Sequence, residues 1–240
     1  MNPNTPHYLS VLFILITLFI FISSIYIINR AYNIYNVNPS KKRIYIGITA
    51  LIVIGWLITT AIIAFRGTLL DFTTTPPKMM VILIPPVLAA SYLCNSVRVN
   101  NLLKVTPASW LIYIQSFRII IEFILWKLYK NGVIPVQMTF EGFNYDILTG
   151  LCALLIAYYS FVDKKWPKIV PLLWNFAGLL LLFNVFFVAF LSAPTPFRQF
   201  MTEPSNTLPA YFPFIWLPAF IVPFAVTVHV LSIKQIMRYN

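Results

Sequence analysis

Apolar residues fill this chain in long runs, separated at short intervals by clusters of charged residues, prolines and glycines. The runs are about twenty residues long, the length that carries a helix across a bilayer. They predict spans over Tyr8–Ile28, Arg43–Phe65, Met79–Val97, Ala108–Tyr129, Asp146–Val162, Ile169–Ala193 and Pro209–Ile233. The expected fold is an all-α membrane protein of seven transmembrane helices, a single domain over residues 1–240 with no soluble domain. The first run is not expected to be a signal peptide. Met1–Ser10 has no Lys or Arg, the apolar run is too long, and no small-residue cleavage site follows it.

One span breaks the pattern. Between Trp110 and Tyr129, amid Leu111, Ile112, Ile114, Ile119, Ile120, Ile121, Ile124 and Leu125, stand Gln115, Arg118 and Glu122. Spacings of three and four put all three on one helix face. Ionisable groups at membrane depth are costly and mark candidate functional sites. Two readings fit the motif. Arg118 and Glu122 form an intrahelical ion pair with Gln115 bonding to a neighbouring helix, or the three line a polar cavity that takes a ligand.

Composition agrees with the spans: 60% of residues are hydrophobic and 10% charged, against about half and a quarter in soluble domains. The formal charge of +11 reflects 17 Lys and Arg against 6 acids. In a soluble protein that would suggest nucleic acid. Here the cations gather on one side, at Arg30, Lys41, Lys42, Arg43, Arg98, Lys104, Lys164, Lys165, Lys168, Lys234 and Arg238. Only Arg66, Lys78, Lys127, Lys130 and Arg198 fall on the other. The positive-inside rule then puts the N-terminus outside and the C-terminus inside. The expected partner is the lipid bilayer, not nucleic acid.

Two external connections are distinctive. Asn131–Tyr145 contains Gly132, Pro135 and Gly142 yet is too apolar for a free linker, and is read as folded back onto the bundle. Pro194–Leu208 carries Arg198, Glu203 and three prolines. Pro85-Pro86 in the third span and Pro209, Pro213, Pro218 and Pro223 in the seventh predict bends, read as packing kinks or hinges. A shift of 128 residues places Phe72 on Phe200, Thr74 on Thr202, Pro76 on Pro204 and Pro85 on Pro213. That spacing allows a 3+1+3 plan of parallel repeats, an arrangement found among transporters.

Other polar positions extend the candidate site. Asp146 starts the fifth span, either as a charge favourable to the helix N-terminus or, with Glu141 and Asn144, at the outer mouth of the cavity. Asn175 and Asn184 lie on opposite faces of the sixth span, and Asn184 is the better placed for the cavity. Arg198 completes the candidate ligand-binding set of Gln115, Arg118, Glu122, Glu141, Asn144, Asp146, Asn184 and Arg198. Trp56, Trp110, Trp126, Trp166, Tyr158 and Tyr159 read as interfacial belts. His7 and His229 fall at opposite ends, so no metal centre and no cofactor is expected, and Cys94 and Cys152 within spans offer no external disulfide. Hydrolase, zincin and phosphate-loop motifs are missing, so no enzyme activity is expected.

The segments Gln115-Ser116-Phe117-Arg118, Met138–Asp146 and Ala193–Arg198 resemble an uncharacterised family of multi-pass bacterial inner-membrane proteins. That resemblance implies a bacterial inner-membrane location and no catalytic residues. The three-plus-one-plus-three plan is similar to that of PQ-loop sugar transporters and cargo receptors. It departs from them in lacking a Pro-Gln motif and in having its most polar span in the linking position. The reading is a small-molecule transporter or carrier centred on the fourth span. A sensor of an external ligand and a structural subunit of a membrane complex, with a partner protein or a second copy, are the alternatives.

Overall fold

The computed structural model describes residues 4–239, so the leader reading on Met1–Ser10 begins outside the described residues. These form eight helices: α1 (His7–Ile34), α2 (Pro39–Phe65), α3 (Lys78–Asn95), α4 (Val97–Val105), α5 (Ala108–Lys130), α6 (Ile147–Val162), α7 (Ile169–Ser192) and α8 (Leu217–Tyr239). All but α4 and α6 are long and apolar enough to cross a membrane. The chain is a helical, membrane-embedded protein, with six such helices among its described residues. The expected fifth span is the apolar but shorter α6.

Local chemistry sets the ends. Asn38 caps α2 by accepting from Ser40 N at 3.0 Å, and Pro39 takes the first helical position, where no N–H is needed. Two boundaries differ from the sequence reading. Arg98–Val105, expected as loop after a third span ending at Val97, belongs to the amphipathic α4 (Val97–Val105), which buries Leu103 and carries Arg98 and Lys104. The sequence predicts the last span from Pro209, but that stretch is a 3-10 turn at Leu208–Ala210 followed by irregular turns, and α8 starts at Leu217. Prolines at 209 and 213 lack the N–H groups that helix bonds there require. Pro213 thus precedes a helix whereas Pro85 lies inside α3, so the two positions matched by the 128-residue shift stand in different settings.

The first turn of α8, Leu217–Ile221, is wound as a π-helix. Pro223 has no N–H to give the carbonyl four residues back, Ala219 O. Trp56 Nε1 from α2 donates to that oxygen at 2.9 Å, and Trp216 Nε1 returns a bond to Leu57 O at 3.0 Å. The Trp56 indole thus joins α2 to α8.

α5 is the interior helix, with 56% of its central window buried against 6% for α3. Leu9, Phe13, Ile16 and Ile20, a single stripe of α1, belong to the same core as Phe117, Ile121, Ile124 and Leu128 of α5. α6 crosses α5 closely at Gly150, where a methyl group would stand 3.0 Å from Ile119 N. The Asn131–Tyr145 connection lies back on the bundle, burying Val133, Ile134, Met138 and Thr139. Its turn needs Gly142, because a Cβ there would fall 2.5 Å from Gln137 Cα and Val136 O. A hollow of about 460 Å³ lies between α3, α7 and α8 and is lined by hydrocarbon such as Leu83, Val87, Leu179 and Phe183. Its lining gives no handle to a polar ligand.

Candidate functional site

The folded-back loop delivers two side chains to the middle of α5. Asn144 is fully buried; its Nδ2 donates to Glu122 Oε2 at 2.8 Å and to Met138 O at 3.1 Å, while its Oδ1 accepts from Asp146 N at 3.1 Å. The last bond fixes the amide's orientation and places Asp146 at the head of α6. Asp146 Oδ1 then accepts from Arg118 Nη1 at 2.7 Å and from Thr149 Oγ1 at 3.3 Å. Arg118 and Glu122 are each 2% exposed and Asp146 5%.

The i, i+4 pair of the sequence reading is thus replaced. Arg118 forms its ion pair with Asp146, and Glu122 takes an amide. Gln115, in a 3-10 turn at Ile114–Ser116, turns to a third element and donates from Nε2 to Ala225 O of α8 at 3.1 Å. Arg118 Nε and Nη2 and Gln115 Oε1 are buried without a partner in the protein. A cavity of about 30 Å³ adjoins Arg118, Glu122 and Asp146, lined also by Phe117, Leu182, Ile221 and Val222 among others. That volume is about that of one water molecule.

Three of the expected site residues stand apart. Glu141 is exposed and accepts from Trp126 Nε1 and Lys130 Nζ, both at 2.7 Å. The Lys130 bond first, then the indole, holds its carboxyl below the usual range. Asn184 donates to Phe143 O at 2.6 Å, tying α7 to the loop. Arg198 staples its own connection, donating to Phe200 O, Thr202 O and Glu203 Oε1 at 2.8–2.9 Å. Their bonds make each of them a loop fastener.

A second polar group lies deeper. Asn175 of α7 donates from Nδ2 to Pro171 O at 2.7 Å and Ser232 Oγ at 3.0 Å, and its Oδ1 lies 2.8 Å from His229 Nδ1. Read from sequence alone, His229 is an isolated helix-end residue. The signal that pairs it with Ser232 is their three-residue spacing on α8, but nothing in the sequence registers Asn175 against them.

One family model matches residues 76–237, from the connection before α3 almost to the end of α8, under the description Domain of unknown function (DUF8737). The chain belongs to this family. The DUF8737 match takes in Gln115, Arg118, Glu122, Asn144, Asp146, Thr149, Asn175 and His229, and leaves α1 and α2 outside it. No curated protein and no solved structure matches the chain.

Proposed function

We propose that this DUF8737 protein is a carrier of the cell's inner membrane, oriented with its N-terminus outside, that takes up a small ion or polar solute at Arg118, Glu122, Asn144 and Asp146. The carrying observation is the charge of the buried cluster. Two carboxyl groups face one guanidinium, and Glu122 is held by an amide instead of a cation. With all three ionised the cluster sums to −1, and a net charge at membrane depth costs roughly 2.5–3.5 kcal/mol or more. One positive guest, a proton, a monovalent cation or the cationic end of a solute, restores neutrality. The adjoining cavity has room for a guest of about water size. Anything larger requires the helices to part, and the proline-bearing start of α8 at the cavity wall is the natural place for that.

The completed Arg118–Asp146 and Glu122–Asn144 bonds favour a second reading, a lock that holds α5, α6 and the loop together. Glu122→Gln separates the two, since Gln still accepts from Asn144. In purified protein reconstituted into liposomes, steps of H⁺, Na⁺, K⁺ and methylammonium should evoke a current for at least one cation, lost in Glu122→Gln. Absence of current for all four, with only the unfolding temperature of the variant changed, would leave the lock.

A further inference from the structure

A buried polar seam runs from the cluster along α8. His229, Ser232 and Gln235 lie three residues apart on one stripe of that helix, each no more than 2% exposed. The tautomer of His229 follows from its neighbours. Asn175 uses its Nδ2 protons on Pro171 O and Ser232 Oγ, so its Oδ1 must accept, and Nδ1 of His229 is the donor. Nε2 is left as a bare lone pair, buried and without a partner. Buried without a partner, that basic atom is costly.

The lone pair faces the gap over Gly178. A methyl on Gly178 would come within 2.5 Å of His229 Nε2 and 3.1 Å of Thr149 Cγ2, so imidazole and threonine share that space. Thr149 Oγ1 reaches Asp146 Oδ1, leaving one side chain between imidazole and cluster. At the far end, Gln235 Nε2 donates to Leu103 O at 2.7 Å and to Thr106 O at 2.5 Å, beside the turn between α4 and α5. Gln235 Oε1 is again buried and unpartnered.

Resting on the carrier reading above, we propose that the ion taken up is a proton and that His229 Nε2 is its second station, on the way from the cluster toward the α4 end. In the step, Thr149 turns its hydroxyl toward the gap over Gly178 and relays: an O–H bond of Asp146 breaks as one to Thr149 Oγ1 forms, the hydroxyl's original O–H bond breaks and an Nε2–H bond forms, leaving a carboxylate, a restored hydroxyl and an imidazolium, with charge conserved. The groups facing His229 are Thr149 from α6, Asn175 and the Trp174 ring from α7, and Ser232 on its own helix. The charged residues beyond Thr149 are those of the cluster, Arg118, Glu122 and Asp146.

The test uses the full chain in liposomes loaded with pyranine, with an imposed pH step. Wild type should acidify the lumen, and His229→Gln should slow this at least about tenfold. Thr149→Val, which keeps shape and loses the hydroxyl, should slow it too and covers the case in which His229→Gln does not fold. Na⁺ or K⁺ current without lumen acidification would overturn the proton assignment and leave the carrier standing. Unchanged acidification in a folded His229→Gln or in Thr149→Val would overturn the station. No movement of any cation would overturn both.

Discussion

Arg118 carries five N–H donors, and the protein gives its Nη1 a carboxylate while leaving Nε and Nη2 unmatched. Such a residue cannot be swapped for lysine without losing both its reach and its fork. The sequence makes Arg118 and Glu122 conspicuous because hydrocarbon surrounds them. It does not say that Arg118 prefers Asp146, 28 positions away, since that choice depends on how the Asn131–Tyr145 connection folds. At the surface, pairing follows ordinary titration rules. Asp71, in the connection between α2 and α3, accepts from Lys78 Nζ at 2.6 Å and from Thr73, and these bonds, Lys78 first, lower its pKa to about 2. Its folded pKa lies below the ordinary carboxylate value of about 3.9. The pair is therefore intact at and above that value and is lost as pH falls toward 2. A carbon-13 carboxyl titration of Asp71 should give a midpoint near 2 in wild type and a higher one in Lys78→Ala, where the Thr73 bonds remain.

Helices are legible where apolar runs end on caps or turn residues, as with Asn38-Pro39 before α2 and Gly67 after it. They are misread where prolines crowd. The hydropathy of Pro209–Trp216 is high enough for a span, but a run interrupted by residues lacking N–H groups cannot keep the helix ladder, so α8 starts at Leu217. α4 escapes notice because nine residues with Arg98, Asn100, Asn101 and Lys104 look like loop until their one apolar edge is seen at the buried Leu103. The connection that forms the cluster depends on a single small residue. Gly142→Ala would push a methyl into the backbone of Gln137, shifting Asn144 away from Glu122. The expected loss is about 1–3 kcal/mol, read as a lower unfolding temperature in detergent. A variant as stable as wild type would show that the turn has room to adjust.

At the scale of the whole molecule, the charge bias of the connections makes a prediction that geometry alone does not. In a background with Cys94 and Cys152 replaced by Ser, Glu203→Cys should react with a membrane-impermeant maleimide from outside intact cells. Lys165→Cys should react only after permeabilisation. The reverse pattern would overturn the N-out orientation. The indole clasp between α2 and α8 has a consequence for how the chain is made. Trp56 and Ala219 are 163 residues apart, Trp216 and Leu57 159. At roughly 5–20 residues per second of synthesis, α2 waits about 10–30 s in the membrane before its partner has left the ribosome. During that interval its face has only lipid or the insertion machinery to meet. A nascent chain stalled before residue 216 therefore presents a loose helix, ready for quality control, until the last span arrives to claim it.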